Sequence, residues 1–198
     1  IEEKNKVIAL ASLLEMFKKV CSALSHAHSL GILHLDVNPE KVYIDSFGDV
    51  LVGDWSSAYY LDSNKNTLHD FDQNREERLT GYHSPELLEG KYEDVNEASD
   101  IYSLGAILYF ILFHKAPSLE MMSDEAYFKK VPRALVSICL KAMTRETKGR
   151  YKSIEALEKD LDLYRAGYAT HAENLGLIGW AQLLFLRNKT LCFTFITG

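Results

Sequence analysis

The stretch from residue 98 to residue 113, ASDIYSLGAILYFILF, is apolar nearly all round when wound as a helix. Such a helix has no polar stripe to turn towards water, so it must be enclosed by the rest of the chain. Other elements must therefore supply apolar faces around it. The N-terminal region does so: Leu10, Leu13, Leu14, Phe17, Val20, Cys21, Leu24 and Ala27 recur at steps of three and four. Gly31 follows and suits a left-handed C-terminal cap. Residues 131–143 and 153–164 read as two further helices, the second opening with Ser153 as N-cap and Glu155 in its first turn. At 198 residues the chain has room for one well-packed domain and not for two of ordinary size.

Residues 41–44 and 50–52 are strand-like, and Asp45-Ser46-Phe47-Gly48-Asp49 between them offers a glycine for positive φ, so the pair predicts a β-hairpin. Residues 55–85 are polar and irregular. A loop of that length inside a compact domain is uncommon and usually functional. The expected fold is mainly α, helical with one small hairpin. A net charge of -6 argues against nucleic acid as a partner, since such proteins carry a basic patch. The three cysteines, Cys21, Cys139 and Cys192, stand far apart with no C-x-x-C pair. That argues against a zinc or redox motif and reads as buried, reduced thiols in a cytoplasmic protein.

Four short motifs stand in order along the chain. They are His34-Leu35-Asp36-Val37-Asn38-Pro39-Glu40-Lys41, then Gly53-Asp54-Trp55-Ser56, then Ser84-Pro85-Glu86 reached through Tyr82, then Ser99-Asp100-Ile101-Tyr102-Ser103-Leu104-Gly105. Arg150-Tyr151-Lys152-Ser153 follows. In order and spacing these resemble the H-R-D-L-K-P-E-N, D-F-G and A-P-E motifs, the central helix and the late arginine of the eukaryotic-like, bacterial-type serine/threonine protein kinases. The resemblance covers roughly residues 8 to 165 and implies the C-terminal lobe of that fold, with the hairpin carrying the catalytic and metal-binding loops. On this reading residues 1–165 are the kinase-like lobe, without its N-terminal lobe, and residues 166–198 a tail.

The resemblance implies a role for each matching residue. Asp36 accepts the proton of the substrate hydroxyl, and Asp54 holds Mg²⁺ on the ATP phosphates. The hairpin folds the chain back so that the two can face one cleft, although 18 positions separate them. His34 packs in the core and is no ligand, and Trp55, where the family has Phe, also packs. Asp100 accepts hydrogen bonds from the catalytic-loop backbone, a role compatible with capping the central helix. Glu86 and Arg150 form a buried ion pair that ties the end of the long loop to the helical core.

Several positions depart from the family pattern. Leu35 replaces an arginine that in many members reads an activation-loop phosphate. Asn38 replaces the lysine that faces the transferring phosphate, and Lys41 replaces the asparagine that ligates a second metal ion. An ammonium has no lone pair for a metal, and two positive charges ~4 Å apart repel by roughly 4 kcal/mol at an effective dielectric of about 20. The two changes read as an exchange, with Lys41 left to face the phosphate and Asn38 to offer its oxygen to the metal. Ser56 replaces the D-F-G glycine and stiffens a backbone that normally flips. Only about twenty residues separate the central helix from the helix near Pro132, so the docking segment at residues 120–130 is short.

ATP and Mg²⁺ are thus the implied cofactors of the complete protein, and a protein substrate or signalling partner the implied partner. With one lobe of two, residues 1–198 alone are not expected to bind Mg·ATP. Three functions are open: a protein kinase with impaired catalysis, a pseudokinase serving as a binding or scaffolding module, and a receptor domain passing signals at a membrane. The run from Leu191 to Ile196, preceded by Arg187 and Lys189, reads either as the start of a membrane anchor on the cytoplasmic face or as an apolar end packed on the domain.

Overall fold

The computed structural model describes residues 2–61, 80–117, 128 and 131–173. Helix α1 runs over Glu2–Ser29. Its buried face is Leu14, Phe17, Val20, Cys21, Leu24 and Ala27, with Leu10 packed at the edge. Gly31 closes the helix at φ 71, its N–H donating to the His28 carbonyl at 2.9 Å.

Strand β1 (Ile32–Leu33) leads into the first motif. A 3-10 turn at Pro39–Lys41 passes directly into β2 (Val42–Ile44), which pairs antiparallel with β3 (Val50–Val52), Val42 opposite Val52. The hairpin stands where the alternation placed it, but its first strand begins one residue later, because Lys41 closes the turn. After a 3-10 turn at Trp55–Ser57, strand β4 (Tyr59–Tyr60) pairs antiparallel with β1. This corrects the expectation of irregular chain from residue 55. The partner of β4 lies almost thirty residues upstream, and no local pattern in two residues reveals it.

Helix α2 (Pro85–Leu88) is short, and a 3-10 turn at Tyr92–Asp94 precedes α3 (Glu97–Phe113). Asn96 caps α3, its Oδ1 accepting the Ala98 N–H at 2.9 Å while Ser99 Oγ accepts the Asn96 N–H at 3.3 Å. Burial is nearly continuous from Ser99 to Tyr109, but Phe110 is 37% exposed, so the helix emerges from the core in its last turn. Helix α4 (Arg133–Ala142) packs on α3, and α5 (Ile154–Arg165), capped by Ser153, packs on α1 and α4. A Cβ at Gly105 would lie 2.7 Å from the Ala142 Cβ and 2.8 Å from the Met143 Cγ, so α3 and α4 approach more closely than any side chain there would permit.

Beyond α5 the chain folds back. Asp160, fully buried, accepts the Tyr151 hydroxyl at 2.7 Å and the backbone N–H groups of His171 and Ala172 at 2.7 and 2.9 Å. It thereby clasps the 3-10 turn at His171–Glu173 to α5. Cys21 and Cys139 are buried free thiols. Among the described residues the architecture is mainly helical with two small two-stranded sheets. Among the described residues no helix is long and apolar enough to cross a membrane. Cys192, the run from Leu191 to Ile196, most of the long loop and all but one residue of the segment 120–130 lie outside the described residues.

Candidate active site

The first-motif loop is built around Asp100. This carboxylate is 0% exposed; its Oδ2 accepts the His34 N–H and its Oδ1 the Leu35 N–H, both at 2.8 Å. His28, in the last turn of α1, brings its Nε2 to 2.8 Å from Oδ2. A buried carboxylate is tolerable only with such partners. They fix Leu35 at φ 60, a left-handed conformation rare for a branched residue. The Leu35 side chain is buried with Leu33, Leu87 and Val95, so position 35 contributes packing under α2 and no charge. His34 is fully buried, with its Nε2 3.2 Å from the Gly53 carbonyl oxygen. Trp55 lies against it at 4.5 Å between ring centroids and donates its indole N–H to the Val52 carbonyl at 2.9 Å, leaving about a third of its surface exposed.

The turn and hairpin then bring Asp36, Asn38, Lys41 and Asp54 together. The Gly53 N–H donates to the Lys41 carbonyl at 2.9 Å, so Lys41 and Asp54 are near neighbours across the hairpin. The Lys41 ammonium bonds Asp54 Oδ2 and lies 3.9 Å from Asp36 Oδ2. Ser56 Oγ donates to the other Asp54 oxygen at 2.7 Å. Asn38 turns inward on its own loop: Nδ2 donates to the Asp36 carbonyl at 3.1 Å and to Asp36 Oδ1 at 3.2 Å, while Oδ1 accepts the Glu40 N–H at 2.9 Å and caps the 3-10 turn. Each carboxylate oxygen of the pair thus faces a partner from within the chain.

The charges respond accordingly. The bond from Lys41, and after it the bond from Ser56, hold the Asp54 carboxyl down at about 2. The same contact with Asp54 raises the Lys41 ammonium above its ordinary value, outweighing the opposing effect of burial. Mg²⁺ needs a carboxylate oxygen of its own, completed by phosphate oxygens and water. As these side chains stand, the site does not suit Mg²⁺: the Lys41 ammonium sits on one Asp54 oxygen and its positive charge opposes a second cation there, while the Asn38 oxygen caps the turn.

Glu86 and Arg150 stand below the site, deep in the core. Arg150 donates Nη1 to Glu86 Oε1 at 2.8 Å and Nη2 to Oε2 at 2.7 Å. Its remaining N–H groups reach the carbonyls of Thr144, Ala98 and Arg145 at 2.7, 2.8 and 2.9 Å. Ser99 Oγ also donates to Glu86 Oε1 at 2.7 Å. Burial pushes the Glu86 carboxyl up, but the bonds from Arg150 and Ser99 outweigh it and hold it below the ordinary carboxylate range.

Two histidines in contact with these carboxylates carry no signal in the motifs. His83, 6% exposed, places Nε2 3.2 Å from Asp36 Oδ1. Its Nδ1 accepts the Thr80 N–H at 3.0 Å, which leaves the ring proton on Nε2, facing Asp36. His28 at Asp100 is the other. His83 stands beside the Ser84-Pro85-Glu86 motif, and the Thr80–His83 spacing was its only local signal. Nothing in the sequence pairs it with Asp36, 47 positions upstream.

Comparison with known proteins places these features in context. The protein kinase domain family model matches residues 1–164. The chain is 30% identical over 188 residues to the serine/threonine-protein kinase PknD of Protochlamydia amoebophila, an alignment covering 80% of this chain and 19% of that protein. It is 27% identical over 189 residues to PknD of Chlamydia caviae, covering 80% and 20%, and 25% identical over 193 residues to PknD of Chlamydia pneumoniae, covering 84% and 20%. The chain spans about a fifth of the length of these curated relatives.

Proposed function

We infer the function from one premise: this chain belongs to the protein kinase family. It is the part of a bacterial-type serine/threonine protein kinase domain that carries the catalytic loop. In the complete protein, on this reading, the domain acts on protein hydroxyls with ATP, in the cytoplasm or on the cytoplasmic face of a membrane, and its phosphoryl transfer is impaired. Asp36 takes the place of the residue that receives the substrate proton. Asp100, Glu86 and Arg150 hold the loop and the segment behind it in the arrangement that receiving a substrate requires.

The observation that carries the impairment is the Lys41 ammonium on Asp54, with Asp36 at 3.9 Å. Phosphoryl transfer depends on charges aimed in advance at the transferring group. Here the one lysine of the loop neutralises the chain's own carboxylates, and Asn38 caps a turn. A second reading, a pseudokinase that binds or scaffolds a signalling partner, is favoured by the same closure, since the four oxygens of Asp36 and Asp54 have internal partners.

A steady-state kinase assay of the full-length protein decides between them. It compares the parent with Asn38→Lys, Lys41→Asn and the double reversal, with Asp36→Ala as the silent control. The double reversal is expected to raise the rate by about tenfold or more, each single change less, because residues acting as a unit are not additive. A parent that is already fast and slows on reversal overturns the impairment. Silence in all four supports the pseudokinase.

A further inference from the structure

We propose that the complete protein binds its nucleoside polyphosphate without a divalent cation, Lys41 standing on Asp54 in the ion's stead. The inference rests on the kinase-family reading of the cleft and goes beyond it, because it names the form in which the nucleotide is taken.

Lys41 is not a mobile surface lysine that happens to lie near an acid. Its backbone is held at both ends. Asn38 caps the 3-10 turn that Lys41 closes, and the Lys41 carbonyl accepts the Gly53 N–H at 2.9 Å across the hairpin. Hairpin register therefore sets Lys41 next to the residue that precedes Asp54. Asp54 is fixed in turn, left-handed at φ 56. Its second oxygen is taken by Ser56 at 2.7 Å, a bond that the glycine of the family motif cannot make. The departures at 41 and 56 thus converge on one carboxylate, one on each oxygen. A divalent ion arriving there must displace the ammonium from one oxygen or share the carboxylate with it and with the Ser56 hydroxyl, and in either case it remains close to that positive charge.

The ammonium can also supply one of the contacts that an ion makes to a polyphosphate. It carries three N–H donors. One is committed to Asp54 and one side faces Asp36, which leaves a donor for a phosphate oxygen. Lysine binds phosphate as a point charge, with no coordination geometry to satisfy. Lys41 and Asp54 side chains are 22% and 38% exposed, so the pair is open to a ligand rather than sealed beneath one.

The test is calorimetric titration of the full-length protein with ATP, once with EDTA present and once with Mg²⁺ in excess. The parent is expected to bind in both, with affinities within about threefold of each other. Lys41→Asn and Lys41→Met both free Asp54, and each is expected to bind at least about tenfold more tightly with Mg²⁺ than with EDTA. Lys159→Met, an exposed lysine of α5, serves as the control and keeps the parent's indifference. Melting curves of the variants separate lost binding from lost fold. A parent that needs Mg²⁺ to bind, or that binds ATP under neither condition, overturns the proposal. Either result is separate from the kinase assay above: slow transfer with strictly Mg²⁺-dependent binding leaves impairment standing and removes only this inference.

Discussion

Two ion pairs in this molecule are built from the same kinds of charge and have opposite characters. Glu86–Arg150 is buried, 5% and 0% exposed at the side chains, and bidentate, and every N–H of the guanidinium has a partner. Lys41–Asp54 is a single contact near the surface, 22% and 38% exposed, with water in reach of both groups. The first pair is over-determined by six hydrogen bonds, five donated by Arg150 and one by Ser99. The second is determined by hairpin register and one hydroxyl. A charge held like Arg150 can only be structural, because nothing could take its place without undoing the core. A charge held like Lys41 keeps open surface and a spare donor that a ligand could meet.

The contrast breaks most sharply at the buried pair. Glu86→Ala strands the Arg150 guanidinium, and Arg150→Ala strands the carboxylate; each is expected to cost ~3–5 kcal/mol of stability. Denaturant or thermal unfolding measures it, and losses below about 1 kcal/mol in both variants would place this pair in the same class as a surface contact. Asp100→Ala comes next. It leaves the N–H groups of His34 and Leu35 buried without acceptors, at about 1–3 kcal/mol for each group. Hydrogen exchange should show the first-motif loop opening before the helices, and exchange that speeds up uniformly across the domain would contradict the local role. Lys41→Met is expected to leave the melting temperature unchanged, because a solvated pair contributes little net stability. A clear drop would show Lys41 to be a structural residue after all.

The smallest effect concerns pH. Asp54 titrates in the fold below its unfolded value, so its pairing is complete above about pH 4 and fades only as pH falls through about 2. Lys41 titrates above its unfolded value, so its pairing is complete below about pH 10 and is lost at higher pH. NMR of the Lys41 side chain should therefore be flat across the physiological range. A titration step between about pH 5 and 9 would mean that the ammonium has another partner.

The helices and the hairpin were legible in the sequence because their signals are local. Leu14, Phe17, Val20 and Leu24 repeat with the helical period, and Gly48 marks the hairpin turn. Their boundaries shifted where a turn or a cap intervened, as at Lys41 and Pro132. Non-local partners left no such mark. Tyr59–Tyr60 finds Ile32–Leu33, and His83 finds Asp36, through the closing of a chain whose path only tertiary packing sets. The residues of the candidate site could be named from their motifs. Where Asn38 and Lys41 point could not, because that depends on which neighbour accepts each donor. The sequence offered Asn38 to a metal and Lys41 to a phosphate; the structure turns one to the Glu40 N–H and the other to Asp54.

Asp160 has a consequence of a mechanical kind. The contacts on its buried carboxylate anchor the chain at residues 171–172 to α5 and, through Tyr151, to the segment just after Arg150. Tension on the chain beyond Glu173 therefore loads this clasp first, in the manner of the strain relief on a cable. The pull is delivered to the helical base of the lobe, and the hairpin that carries Lys41 and Asp54 is spared it.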